Sequence, residues 1–213
     1  MKVVFGTTNR RKLKDVLNII ELYQLDLEVL TLEDIHWDLG DIEESGATIE
    51  ENSLIKATAI HHFCLEHQID YPVIADDAGL FVNALGGEPG VFTARYADAE
   101  LQKDPTLPKY ECVNKLLRKL NEKNDRSAYY QCVVTCMFPD GNYFQNSGVS
   151  YGSIHDQIVE PIKRPYFYSV FVLDSCTKTF NQLTSEELKE TYRYQAMRKT
   201  LKLLPAYYSS KID

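Results

Sequence analysis

Along the chain, apolar residues alternate between short runs with strand spacing and longer stretches in which they return every three to four positions. Lys2–Phe5 is a β-branched run, and from Asn9 onward Leu13, Val16, Leu17 and Ile20 recur at helical spacing, so a strand becomes a helix at Thr7-Thr8-Asn9. A second helix is predicted from Thr48, where Thr48-x-x-Glu51 makes a capping box, through Leu54, Ile55, Ala59 and Phe63. The apolar strand that follows ends at Asp76-Asp77, on a glycine turn at Gly79. Beyond a Gly/Pro-rich turn at 86–90, a helix is expected over 110–120, then strands over 128–138 and 143–151 joined as a hairpin by Pro139-Asp140-Gly141-Asn142. The aromatic run 166–173 reads as another strand, and Thr184-x-x-Glu187 opens a final helix running towards Leu204, ahead of Pro205. No linker, repeat or low-complexity tract interrupts this order, which predicts one unit with a mixed α/β sheet and helices on its faces.

Composition narrows the function classes. A length of 213 residues with 44% hydrophobic content is enough for a sizeable core. The net charge of -8 opposes binding to nucleic acid or an anionic membrane, while leaving room for small anions at local basic spots. No apolar run has the length of a membrane span or the pattern of a signal peptide, which predicts a cytoplasmic protein. The five scattered cysteines read as reduced core thiols, with zinc a remote alternative.

Three segments carry candidate chemistry. Thr7, Thr8, Asn9 and Lys12 lie at a strand-to-helix junction, where free N–H groups and the helix dipole favour a phosphate; an N-cap followed by a solvated basic face is the plainer account. Glu43-Glu44 precede a helix on which Asn52 and Lys56 share a face and so reach one ligand together; an acidic helix start with an exposed lysine is the alternative. Asp76 and Asp77 stand at the carboxyl end of a strand, the edge where α/β sheets bind ligands. Two adjacent anions without His or Cys neighbours suit Mg²⁺, although Asp76 also fits a turn cap.

Taken in order, Thr-Thr-Asn-x-x-Lys, Glu-Glu-x-Gly-x-Thr-x-x-Glu-Asn-x-x-x-Lys-Ala, Asp-Asp-x-Gly-Leu, Ala-Leu-Gly-Gly-x-Pro-Gly and Ala-Arg-Tyr-Ala resemble the inosine/xanthosine triphosphate pyrophosphatase family. Gly148-x-x-x-Gly152-x-Ile154, Lys178-Thr179-Phe180 and Arg193-x-x-Ala196 extend the resemblance almost end to end. It implies a two-lobed α/β fold with a long twisted sheet around a central cleft, a homodimer, and Mg²⁺-dependent hydrolysis of non-canonical purine nucleoside triphosphates to monophosphate and pyrophosphate. By the same resemblance, Thr7, Asn9 and Lys12 cradle phosphate, and Lys56 holds the triphosphate near the scissile bond. Glu43 and Asp77 hold the metal with Asp76 beside them, and Asp77 steers the attacking water.

Departures from the family pattern fall mainly on the base-binding side. Tyr166-Phe167-Tyr168-Ser169 replaces a Gly-aromatic-Asp-Pro segment, keeping Phe167 as the aromatic that stacks on a purine. Thr191-Tyr192-Arg193 replaces Ser-His-Arg, exchanging an imidazole for a phenol. The family lysine ahead of that motif aligns with Glu187; Lys189, two residues on, shares a helix face with Arg193 through i,i+4 spacing. Thr8 stands where glycine is usual, and Ala78 replaces a serine. The expectation is retained hydrolytic machinery with altered or relaxed base selectivity. The alternative is a catalytically silent nucleotide-binding protein on the same fold.

Overall fold

A computed structural model describes residues 1–38, 40–162 and 165–209. In chain order the elements are β1 (Lys2–Phe5), α1 (Arg10–Leu22), β2 (Glu28–Leu30), α2 (Ile49–Glu66), β3 (Val73–Val82) and β4 (Pro89–Gly90). Next come α3 (Asp98–Lys103), α4 (Glu111–Lys119), β5 (Ser127–Met137), β6 (Tyr143–Ile154), β7 (Phe171–Leu173), α5 (Ser185–Leu188) and α6 (Tyr192–Ser209). The sheet runs β2-β1-β3-β5-β6-β7, with β4 added to β3. It is mixed, as expected: β1 is parallel to β2 and β3, whereas β4 on β3 and β7 on β6 are antiparallel.

The chain divides into two compact units. The first takes Met1–Asp77, Cys132–Gly148 and the segment from Tyr192 onward; the second takes Ala78–Gln131 and Val149–Thr191. In the first, Val3, Val4 and Phe5 of β1 are fully buried, the signature of a parallel strand covered on both faces. Val4 and Val73 pack with Ile60, Phe63 and Cys64 of α2. A serine on the buried face of α2 is satisfied rather than stranded: Ser53 Oγ bonds the Ala75 carbonyl at 3.0 Å and accepts the Thr135 N–H at 3.0 Å. In the second unit, Tyr130, Phe171 and Phe180 form an aromatic cluster with centroids 4.8–5.6 Å apart. Val113, Leu116 and Leu120 are buried alongside the same unit's core positions.

Where the pattern was strong the elements match: β1, α1, the boxed start of α2, α4, β5 and β6 lie where expected. The hairpin turn closes through Phe138 N–H to Asn142 O at 2.8 Å, with Gly141 at φ 84°. Three readings are corrected. β3 does not stop at Asp76 but runs on to Val82, because Gly79 lies flat in the strand: a Cβ there would meet the Gly90 carbonyl oxygen of β4 at 2.6 Å. Residues 166–173 are not one strand, since Tyr166–Ser169 is a 3-10 turn and only Phe171–Leu173 pairs. The final helix is two. After Thr184 caps α5, three-residue hydrogen bonds from Lys189, Glu190 and Thr191 tighten and end it, and α6 begins afresh at Tyr192. α6 then passes through Pro205, held by the fully buried Leu201 and Leu204.

Candidate functional site

The first unit assembles charged residues from α1, the loop before α2, α2, β3 and α6. β1 hands the chain to α1 through Gly6, whose N–H bonds Ile74 O at 2.8 Å and where a Cβ would stand 2.3 Å from Ile60 Cδ1. The Thr7 hydroxyl accepts the Asn9 N–H at 3.2 Å, and Asn9 Oδ1 caps the helix by accepting from Arg11 N at 3.0 Å. Thr8 and Asn9 are exposed, and no acidic residue occupies the first turn of α1, so the positive end of this helix is unopposed there.

One turn into α1, Lys12 points its ammonium at Asp76, 2.9 Å from Oδ1. Arg193, in the first turn of α6, donates from its guanidinium to Asp76 Oδ2, which Cys132 Sγ also approaches at 3.8 Å. Asp76 is 2% exposed, and burial opposes its charge, but Lys12, Arg193 and Lys56 outweigh burial and hold its carboxyl well below the usual carboxylate range. Burial in turn pulls the Lys12 pKa down, Arg193 and Lys56 adding to the pull and Asp76 resisting it.

Asp77 is the next residue on an extended strand, and successive side chains of a strand leave by opposite faces. Its Oδ1 meets Lys56 Nζ of α2 at 3.2 Å, and the same ammonium reaches Glu44 Oε1 at 2.9 Å. α2 builds this cluster from its own N-terminus. Thr48 accepts the Glu51 N–H at 3.1 Å, Glu51 returns to the Ala47 N–H at 2.6 Å, and Asn52 Oδ1 accepts the Gly46 N–H at 2.8 Å. The acidic loop is thereby pinned two residues from Glu44. Burial tends to lower the Lys56 pKa, yet Asp77, Asp76 and Glu44 raise it overall, so it stays an ammonium. Burial raises the Asp77 pKa, Glu44 adding to the rise and Lys56 opposing it.

Two buried polar atoms beside this lysine have no hydrogen-bond partner: Asp77 Oδ2 and Asn52 Nδ2. The amide cannot be turned to exchange its atoms, since Nδ2 would then face the Gly46 N–H donor to donor. An open carboxylate oxygen next to a second carboxylate is the donor set of a hard divalent cation that completes its shell with water and phosphate. Among the described residues no group of three or more His, Cys, Asp or Glu could hold a metal ion.

Of the residues singled out in the sequence, Lys12, Asp76 and Arg193 come together, as do Lys56 and Asp77. Glu43 is exposed, and its neighbour Glu44 reaches Lys56. Nothing in the sequence Glu43-Glu44 tells the two apart. Asp76 has both oxygens engaged by cations. Tyr192 is 2% exposed, with the Arg193 guanidinium 5.7 Å from its ring centroid. In the second unit, Phe167 is 2% exposed and packs against Tyr96 at 6.2 Å between centroids. Lys189 ends α5 and pairs with Glu186 at 2.7 Å, so the break before α6 removes the shared face with Arg193. Glu187 bonds Lys178 at 2.6 Å and completes the Thr184 capping box. All five cysteines are free, with Cys64, Cys132 and Cys136 buried.

The chain matches known proteins over almost its whole length. The Ham1 family model matches residues 3–203. The chain is 31% identical over 213 residues to a dITP/XTP pyrophosphatase of Bacillus anthracis, covering 97% of this chain and 98% of that protein. It is 32% identical over 214 residues to a dITP/XTP pyrophosphatase of Bacillus subtilis, covering 96% and 98%. The solved Ham1 protein of Staphylococcus aureus superposes with a TM-score of 0.79 at 30% identity over 97% of this chain and all (100%) of that one. The HAM1 protein of Coxiella burnetii gives 0.80 at 27% identity, over 97% and 99%.

Proposed function

Since the chain belongs to the Ham1 family, with relatives named dITP/XTP pyrophosphatases over nearly its whole length, we propose that it hydrolyses purine nucleoside triphosphates of the dITP/XTP type. The reaction consumes one water: its oxygen bonds the α-phosphorus, the α–β phosphoanhydride bond breaks, and nucleoside monophosphate and pyrophosphate leave. The observation that carries this reading is the Lys56–Asp77 pair, with Asp77 Oδ2 open and Glu44 on the far side of the ammonium.

Phosphoryl transfer asks a protein for in-line positioning and for neutralisation of charge on the phosphate oxygens. Lys56, fixed as an ammonium by Asp77, Asp76 and Glu44, supplies positive charge beside the scissile bond. Lys12, the α1 N-terminus with Thr7, Thr8 and Asn9, and Arg193 supply donors to the rest of the tail. Asp77 orients the water and takes its proton, a role suited to a carboxylate whose pKa burial has raised. Glu44 and Asp77 are the residues that would hold Mg²⁺. When bound, that ion neutralises phosphate charge.

On the base side the reading is relaxed selectivity, supported by the burial of Tyr192 and Phe167 and by the pairing of Glu187 with Lys178. A homodimer in the cytoplasm completes the proposal, with a small nucleotide as partner and neither nucleic acid nor membrane. No described helix is long and apolar enough to cross a bilayer. The test is a screen of ITP, dITP, XTP, ATP and GTP with and without Mg²⁺, read by pyrophosphate release and monophosphate identity. Binding without turnover would favour a silent nucleotide-binding protein, and neither binding nor turnover would refute the proposal.

A further inference from the structure

We infer that Asp76 is the resident counter-ion of the two cations that grip the polyphosphate tail, a positioning residue and not a ligand of the divalent ion; this rests on the nucleotide reading above. Its two oxygens are both taken, one by Lys12 from α1 at 2.9 Å and the other by Arg193 from α6. Lys56 pairs with Asp77 of β3 and with Glu44 ahead of α2, and its charge adds to the field at Asp76. Two long side chains from separate helices would otherwise have to be ordered at the moment of binding. Asp76 orders them beforehand and partly neutralises them, so an incoming anion competes with a built-in one.

That competition gives a sign no metal ligand would give. Calorimetry on the full chain, wild type and Asp76→Asn, with metal-free inorganic tripolyphosphate and separately with Mn²⁺ alone, reads it directly. The expected result is tripolyphosphate affinity equal to or higher than wild type in Asp76→Asn, because the anion inherits cations no longer neutralised. Tripolyphosphate should also raise the melting temperature of the variant by more degrees than that of wild type. Mn²⁺ affinity should fall less than tenfold, the effect of losing a nearby charge only. Weaker tripolyphosphate binding by the variant, or an Mn²⁺ loss beyond tenfold, would overturn the inference. Should Asp76→Asn fail to fold, Asp76→Asn/Arg193→Gln restores balance by removing one orphaned cation, and it should melt above the single variant; no recovery counts against the anchor role. Wild type that binds no tripolyphosphate and cleaves no nucleotide sinks the functional proposal instead.

Discussion

Asp77 and Asp76 are consecutive aspartates with opposite electrostatics, and each makes a prediction of its own. For Asp77, burial and Glu44 raise the pKa above the ordinary 3.8. A general base works deprotonated, so turnover should fall on the acid side, and Asp77→Asn should lose on the order of 10²–10⁴-fold in kcat while leaving the fold intact. Steady-state rates from pH 4 to 9 check both; rates that do not fall towards pH 4, or a variant with near-normal kcat, contradict the assignment. For Asp76 the sign reverses. Its folded pKa lies below the unfolded 3.8, so its contribution to stability is fully present above that value and lost as pH falls beneath it. Denaturant unfolding of wild type between pH 5 and 2.5 should therefore steepen its loss below 4, and Asp76→Asn should flatten that limb.

At the level of elements, what could be read from the sequence depended on whether a signal was local. Capping boxes at Thr48 and Thr184, the Gly141 turn and the α1 periodicity are local, and they stand in the structure. β3 was misread because Gly79 looks like a turn residue, whereas its role is set by a strand eleven residues on, whose Gly90 carbonyl presses against it. The join read between α5 and α6 failed for the opposite reason: apolar spacing persists through 189–191 although the backbone tightens there. That Glu44, and not Glu43, reaches Lys56 is likewise invisible in the sequence. Two substitutions probe these contacts. Gly79→Ala drives a methyl into a backbone carbonyl that cannot yield, and should destabilise the protein by about 1–3 kcal/mol, read from denaturant midpoints. Asn52→Ala leaves the partly buried Gly46 N–H without its acceptor, costing about 0.5–1.5 kcal/mol, and frees the loop carrying Glu44, so the Mg²⁺ concentration for half-maximal rate should rise. A variant with unchanged Mg²⁺ demand would show that the loop holds itself.

For the whole molecule, the charged machinery gathers in the first unit and consists of groups that recognise phosphate, which every nucleoside triphosphate carries. Selectivity for the base must come from elsewhere, and the two residues nearest in kind to a base reader are enclosed: Tyr192 in the first unit and Phe167 in the second are each 2% exposed. Sites that hydrogen-bond a defining substrate group reject analogues lacking it by roughly 10⁴–10⁵, while apolar pockets separate near-isosteres by only about 10–200-fold. The chain should therefore fall in the second range: kcat/KM for ITP or XTP should exceed that for ATP or GTP by less than about 200-fold. Competition assays with paired nucleotides under one enzyme preparation measure the ratio without separate KM determinations. Tyr192→His should widen that ratio, with rates on ITP little changed. A wild-type ratio near 10⁴ would mean that base-edge hydrogen bonds persist through groups other than these two rings, and that selectivity was retained while its residues were exchanged.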